Sequence, residues 1–186
     1  MRIIAGSAKG ARLGPVPPGV RPLSDRAREG LFSSLGPGGI EDSRVLDLYA
    51  GTGAAGIEAL SRGAAAAVFV DKAPSAVAAV KRNLDATGLG ARAEVHPAGV
   101  SRFLARDDRP GAPFDLVICD PPYDTGSPDV DAVFRELADG WLRETAWTVA
   151  LTRGRKSSMP VIPLHWVLAK RLRYGDSLVV LFRPEG

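Results

Sequence analysis

The sequence contains few of the residues that build disulfides and metal centres. It has one cysteine, Cys119, and two histidines, His96 and His165. A single cysteine cannot form an internal disulfide, and so few soft ligands make a zinc site unfavourable, so we expect no metal. Because free cysteine is among the most buried residue types, we expect Cys119 to belong to the core.

The sequence also lacks a long apolar run. No apolar stretch approaches the roughly 18 residues that a membrane-spanning helix needs, and the first residues lack the apolar core of a signal peptide. We therefore expect a cytoplasmic protein without membrane contact. The 186 residues fit one domain large enough to bury a core.

Acidic residues are scarce at both ends of the chain. Residues 1–35 carry six Lys/Arg and two Asp/Glu, and residues 151–186 carry seven Lys/Arg and two Asp/Glu. The middle, residues 36–150, carries eleven Lys/Arg and seventeen Asp/Glu. Two basic ends around an acidic middle indicate an anionic partner, with nucleic acid the first candidate. Charge alone leaves open the alternative of an ordinary solvated surface.

Residues 1–22 are predicted to form a basic arm ahead of one domain at residues 23–186. Two short extended segments flank a turn at residues 7–10, which is typical of a β-hairpin, and prolines then prevent regular structure. The arm contains four Lys/Arg and no acid. A basic hairpin of this kind can lie against a phosphate backbone.

Strands and helices alternate after the arm. Helices are predicted at about 25–35, 74–87, 101–105 and 130–142. A further helix is predicted to follow the glycine-rich stretch at 51–56 and to end at residue 60. This alternation predicts an α/β fold with a doubly wound, mostly parallel seven-stranded sheet and an antiparallel C-terminal edge hairpin. The predicted strands lie at 44–50, 66–70, 93–95, 114–119, 147–151, 166–173 and 178–183.

A glycine-rich loop, Gly51-x-Gly53-x-x-Gly56, follows the first predicted strand. Glycines let the backbone turn tightly and approach a ligand closely. Asp71 follows at the end of the second strand, at the spacing where an acid accepts hydrogen bonds from ribose hydroxyls. The glycines and Asp71 fit an NAD site as well as an S-adenosylmethionine site, so they do not decide between the two.

The stretch Asp120-Pro121-Pro122-Tyr123 ends the fourth strand and favours S-adenosylmethionine. The lone pair of a nucleobase amine is delocalised into the ring, so methylating that amine requires acceptors for its hydrogens. The Asp120 carboxylate and the Pro121 carbonyl could bind the two hydrogens and direct the lone pair towards the methyl group. Tyr123 could stack on the base, and Asp47 could face the amino group of the methionine moiety.

These motifs resemble those of a known family. Residues 45–53 and 120–123 resemble motifs I and IV of class I amino-methyltransferases. The chain as a whole is similar to the ribosomal RNA small subunit methyltransferase D family, and the N-terminal residues carry the most specific part of this resemblance. They are Arg2-Ile3-Ile4-Ala5-Gly6, Lys9-Gly10, Arg21-Pro22, Asp25-Arg26 and Arg28-Glu29 before Leu31-Phe32.

The resemblance implies a Rossmann-like class I methyltransferase fold and a specific activity. That activity is S-adenosylmethionine-dependent methylation of the N2 amine of one guanine in 16S rRNA, within the assembled or assembling small ribosomal subunit. Ribosomal proteins of that subunit become candidate partners, and we expect a monomer.

The predicted site divides into three groups of residues. The group acting on the substrate amine is Asp120, Pro121, Pro122 and Tyr123. The cofactor group is Asp47, Tyr49, Ala50, Gly51, Thr52, Gly53, Gly56, Asp71, Lys72, Gly99, Val100 and Asp120. The RNA-binding group is Arg2, Lys9, Arg12, Arg21, Arg26, Arg28, Arg153, Arg155 and Lys156.

One position departs from the family pattern. Many such enzymes place Asp or Asn, followed by Ala, after the third strand to contact the adenine. Residues 96–100 contain neither Asp nor Asn. A backbone carbonyl or Ser101 would therefore have to accept the adenine amine.

Three other functions stay open. A DNA adenine-N6 or other amino-methyltransferase shares the Asp-Pro-Pro-Tyr stretch, although only the arm is available as a recognition element. An NAD-binding oxidoreductase accounts for the glycines and Asp71 and leaves residues 120–123 unused. A non-catalytic RNA-binding module would need only the basic arm.

Overall fold

A computed structural model describes residues 1–20, 22–122 and 124–186. In this part of the chain no helix is long and apolar enough to cross a membrane. The α-helices are α1 (Asp25–Leu35), α2 (Ala54–Ser61), α3 (Pro74–Thr87), α4 (Val100–Leu104) and α5 (Ser127–Ala138). The strands are β1 (Arg44–Leu48), β2 (Ala66–Asp71), β3 (Ala93–Pro97), β4 (Leu116–Cys119), β5 (Thr148–Gly154), β6 (Trp166–Tyr174) and β7 (Ser177–Pro184).

The strands form one sheet in the order β3-β2-β1-β4-β5-β7-β6. Strands β1 to β5 are parallel, and β7 and β6 complete one side as an antiparallel hairpin. The predicted doubly wound sheet with its C-terminal hairpin is therefore confirmed. The near-continuous apolar sequence of β4 reflects its central place, since helices cover both faces of a parallel sheet.

Two apolar clusters occupy the two faces of the sheet. On the face of α1, α2 and α3, Phe32 and Ile57 pack with Phe69. On the face of α4 and α5, Phe134 and Trp141 pack in one cluster with Cys119. Cys119 is fully buried, as predicted, and burial raises the pKa of its thiol.

Local sequence signals set most element boundaries. The Ser24 hydroxyl accepts a hydrogen bond from the Ala27 N–H at 3.2 Å and starts α1. Pro74 opens α3, and Gly88 ends it in the left-handed conformation with φ of 68°.

Helix α5 differs from its prediction at residues 130–142. It begins at Ser127, because Pro128 fits the first turn, and it ends at Ala138. Gly140 then has a φ of 83°, and Trp141 leaves the helix axis to donate its indole N–H to the Leu104 carbonyl at 3.1 Å.

Strand β5 runs three residues beyond its predicted end at residue 151. Arg153 and Gly154 were expected in a basic loop, but they pair with Leu178 and Ser177 of β7. The antiparallel partner lengthens β5, because it supplies hydrogen bonds beyond the last residue that pairs with β4.

The N-terminal segment differs from the predicted β-hairpin. Among the described residues of this segment, one antiparallel bridge joins Arg2 and Arg12, without a longer strand. Glu58 on α2 accepts hydrogen bonds from the Ile4 and Ala5 N–H groups at 2.8 and 3.0 Å. Because these amides bind α2 rather than a facing strand, the pairing does not extend.

Glu58 also holds two arginines. It is fully buried, receives the Arg62 Nε–H at 2.7 Å, and lies 3.5 Å from Arg28 Nε. Arg28 donates through Nη2 to the Arg2 carbonyl at 2.5 Å and to Asp25 at 3.0 Å. Its side chain is 0% exposed. The prediction that Arg28 contacts RNA is therefore corrected, because protein groups enclose its guanidinium.

Replacing Glu58 with alanine is expected to lower the free energy of unfolding by about 3–5 kcal/mol, because the buried charge of Arg28 would keep only the half-exposed Asp25 as a carboxylate partner. Urea denaturation followed by circular dichroism measures this change. Glu29→Ala is the control, because Glu29 is exposed on α1, and it should change stability by less than about 0.5 kcal/mol. Equal stability of the two variants would contradict the anchoring role of Glu58.

Candidate active site

Three aspartates meet at the carboxyl ends of neighbouring parallel strands. Asp47 lies inside β1, Asp71 ends β2, and Asp120 directly follows β4. Strand β1 pairs with both β2 and β4, so these carboxylates surround one end of the central strand. This end is where open α/β sheets bind ligands.

The glycine loop between β1 and α2 is braced by Asp71. The Asp71 carboxylate accepts the Gly51 N–H and the Ala73 N–H, each at 2.9 Å. Gly51 and Gly53 have φ angles of 57° and 74°, which favour glycine. Asp71 therefore stabilises the glycine loop by hydrogen bonds. Its predicted role, to accept hydrogen bonds from the ribose hydroxyls, is separate from this one.

Gly56 serves a different contact from the other two glycines. A Cβ at Gly56 would lie 2.4 Å from the Phe69 ring and 3.0 Å from an Asp47 oxygen. Its N–H donates to Asp47 Oδ2 at 2.9 Å. Gly56 thus brings α2 close to β1 and β2 and orients a predicted cofactor-binding carboxylate.

The surroundings of Asp47 and Asp120 favour the neutral forms of these two carboxyl groups. Burial raises the pKa of Asp47 to about 8, against the Gly56 hydrogen bond and with help from the charges of Asp120 and Asp71. Burial likewise raises the pKa of Asp120 to about 7, opposed by a hydrogen bond with Thr152. A cationic ligand would offset the cost of ionising these groups. This donor set therefore fits the predicted cofactor, which carries a sulfonium and an ammonium.

A small pocket opens beside Asp120. Its other lining residues are Pro121, Pro122, Thr152, Arg153, Gly154 and Ser157. We name it the Asp120 pocket. The predicted stacking residue, Tyr123, lies outside the described residues.

Arg153 belongs to the wall of this pocket rather than to an exposed loop. It is 6% exposed, and its Nη1 donates to the Thr125 carbonyl at 2.8 Å. Its Nε is buried and has no hydrogen-bond partner within the described chain. Arg153 was predicted to contact RNA from a basic loop, but the structure places it near the end of β5 with its side chain almost entirely buried.

Two residues of the site were not predicted from the sequence. Thr152 bonds Asp120, because Cys119 pairs with Leu151 and the next residues of β4 and β5 then lie side by side. Asn83 donates to the Thr52 carbonyl and accepts the Gly14 N–H, each at 2.8 Å. No local motif signals either residue, because both contacts depend on distant segments.

The remaining predicted residues lie as follows. Tyr49 and Ala50 are partly buried beside the loop, Lys72 is exposed after β2, and Gly99 precedes α4 with Val100 buried. After β3, the His96 ring lies 5.0 Å from the Phe103 ring. The exposed members of the predicted RNA-binding group are Arg2, Lys9, Arg12, Arg26, Arg155 and Lys156. Arg21 lies outside the described residues.

The raised pKa values make stability depend on pH. The pKa of Asp120 is raised from 3.8 to about 7 in the folded protein, so the native state binds more protons than the unfolded state between about pH 4 and 7. Stability contributed by this group is present below that window and is lost as pH rises through it. Asp120→Asn removes the titration.

The decline in unfolding free energy from pH 5 to pH 9 should therefore be smaller in Asp120→Asn than in the wild type, by on the order of 1–2 kcal/mol. Urea denaturation at several pH values measures it. Asp107→Asn, at an exposed position, is the control and should follow the wild-type curve. Parallel curves for all three proteins would contradict the burial of Asp120.

Comparison with known proteins assigns the family. The family model described as Conserved hypothetical protein 95 matches residues 1–183. Over its whole length the chain is 36% identical to ribosomal RNA small subunit methyltransferase D of Escherichia coli K12, covering 90% of it. The Haemophilus influenzae protein of that name is 33% identical over 94% of this chain and 89% of its own length. The structure of Escherichia coli yhhF matches with a TM-score of 0.86 and 33% identity, covering 100% of this chain and 98% of that one. The chain therefore belongs to the ribosomal RNA small subunit methyltransferase D family.

Proposed function

We propose that the protein methylates the N2 amine of a specific guanine in 16S rRNA of the small ribosomal subunit, using S-adenosylmethionine. The observation that carries this proposal is the grouping of Asp47, Asp71 and Asp120 around the glycine loop. The names of the relatives support the rRNA substrate. The acidic cluster supports a cationic methyl donor.

The cofactor would be held by the loop and two carboxylates. When bound, S-adenosylmethionine supplies an electrophilic methyl group on a positively charged sulfur. Asp71 would accept the ribose hydroxyls while keeping its bonds to Gly51 and Ala73, because each carboxylate oxygen has more than one acceptor site. Asp47 would face the ammonium group. Its ionisation would then be favoured by the cation beside it.

The substrate amine would lie in the Asp120 pocket. The Asp120 carboxylate and the Pro121 carbonyl would accept its two hydrogens and orient the nitrogen lone pair. Thr152 holds the Asp120 carboxyl in place. After the methyl transfer, the substrate nitrogen is positively charged and must lose a proton. Asp120, with a pKa of about 7, can accept this proton.

The substrate is tested by offering labelled S-adenosylmethionine together with unmethylated small subunits, naked 16S rRNA or duplex DNA. We expect label in RNA and N2-methylguanosine among the released nucleosides. Label in DNA alone would contradict the proposal and favour the DNA amino-methyltransferase. Calorimetry that shows binding of NAD and not of S-adenosylmethionine would contradict the cofactor.

Asp120→Ala should lower the transfer rate at least about 100-fold, because the amine loses its main acceptor. The dissociation constant for S-adenosylmethionine should change little. Asp107→Ala, at an exposed position, is the matched control for both measurements. Turnover retained by Asp120→Ala would show that another group binds the amine.

We also propose that the N-terminal segment contributes to RNA binding. The side chains of Arg2, Lys9 and Arg12 are exposed. Ile3 and Leu13 of the same segment are buried in the core cluster, so removing the segment would disturb the fold. Surface substitutions are therefore the appropriate test, and the division into an arm and a domain stays a prediction.

The triple variant Arg2→Gln/Lys9→Gln/Arg12→Gln should reduce the dependence of RNA affinity on salt. The slope of log affinity against log salt should fall by about 2, because each lost contact to single-stranded RNA contributes about 0.7. Affinity for S-adenosylmethionine should stay unchanged. An unchanged slope would show that the segment has only a structural role.

A further inference from the structure

We propose that a groove beside the C-terminal hairpin binds the phosphates of the RNA strand that flanks the target nucleotide. This inference rests on the proposed function and extends it to the path of the substrate. The groove has a volume of about 260 Å³ and is lined by Arg155, Ser157, Met159, Arg171, Arg173 and Leu178. We name it the hairpin groove.

The strand register places the hairpin groove next to the Asp120 pocket. Arg153 of β5 pairs with Leu178 of β7, and Leu178 pairs with Arg173 of β6. Directly opposed residues of antiparallel strands project from the same face of a sheet. Two strand spacings of about 4.8 Å then separate the backbones of Arg153 and Arg173, a distance of about 10 Å.

The two depressions adjoin each other on one side of the sheet. Ser157 lines both the Asp120 pocket and the hairpin groove. Leu178 packs against the apolar cluster of α4 and α5, which fixes the face from which Arg171 and Arg173 project. A strand of RNA that leaves the pocket can therefore continue into the groove.

The charge of the hairpin groove is uncompensated. Arg155, Arg171 and Arg173 are exposed, and within the described chain their guanidinium groups have no ion-pair or hydrogen-bond partner. The nearby Asp176 contributes its backbone carbonyl to the Arg155 N–H. Three free guanidinium groups around one concavity match a chain of phosphates, which arginine binds through two parallel hydrogen bonds.

The groove also suits an RNA strand from which one base has been extruded. A guanine that is stacked on its neighbours must leave the stack before its amine can lie beside Asp120, and unstacking has an energetic cost. Phosphate contacts in the groove would offset that cost by holding the flanking backbone. Met159 and Leu178 provide an apolar floor against which a sugar could pack.

The double variant Arg171→Gln/Arg173→Gln tests the groove. We expect its dissociation constant for unmethylated naked 16S rRNA to rise about tenfold, and the salt slope to fall by about 1.4. The KM for unmethylated small subunits should rise with it, whereas kcat and the affinity for S-adenosylmethionine should stay unchanged. Filter binding at several salt concentrations and single-substrate kinetics give these values.

The matched control is Lys81→Gln/Arg82→Gln, which removes two exposed charges from α3 on the other face of the sheet. A groove variant that binds naked rRNA like this control would overturn the inference. So would a defect confined to assembled subunits, because it would identify a ribosomal protein as the occupant. Reduced RNA affinity in the groove variant, together with a wild type that methylates no RNA, would support the groove and refute the proposed function.

Discussion

The grouping of one buried and two half-buried aspartates at one end of a parallel sheet is the constraint on which the site depends. Removing a carboxylate from water is costly, and each of the three is stabilised by a nearby hydrogen-bond donor. Asp71 receives the Gly51 N–H, Asp47 receives the Gly56 N–H, and Asp120 bonds Thr152. Asp71 and Asp47, which are proposed to bind the cofactor, thus also hold the glycine loop and the start of α2 in place by hydrogen bonds.

The N-terminal segment is joined to this centre by a second set of buried polar contacts. Glu58 anchors its backbone to α2, and Asn83 links Gly14 to the carbonyl of Thr52. A Cβ at Gly51 would lie 2.9 Å from Val20, so the end of the predicted arm packs directly on the glycine loop. The N-terminal segment and the glycine loop are therefore in direct contact.

Most of the fold could be predicted from the sequence, because local signals carry it. Ser24, Pro74 and Gly88 mark helix ends by their own chemistry, and apolar runs mark the buried strands. The predicted N-terminal β-hairpin is wrong because Glu58, 54 residues away from Ile4, accepts hydrogen bonds from backbone N–H groups that a longer hairpin would pair across its strands. Likewise, the sequence around Arg28 does not indicate that this side chain pairs with the buried Glu58.

The candidate site shows the same division between local and distant information. Asp47, the glycine loop, Asp71 and Asp120 lie within recognisable motifs, and the structure brings them together. Thr152 and Asn83 became visible only with the strand register and the packing of α3. Their residue types carry no distinctive pattern, since threonine and asparagine in such positions are usually ordinary surface or core residues.

The order β5-β7-β6 has a consequence for the biogenesis of the protein. Strand β6 is synthesised before β7, yet it pairs only with β7 in the sheet, and β7 supplies the outer partner of β5. The edge of the parallel sheet therefore stays open until residues 177–184 have been made. The walls of the Asp120 pocket and the hairpin groove depend on this last pairing. The sheet beside these two depressions is therefore completed only when residues 177–184 have been made.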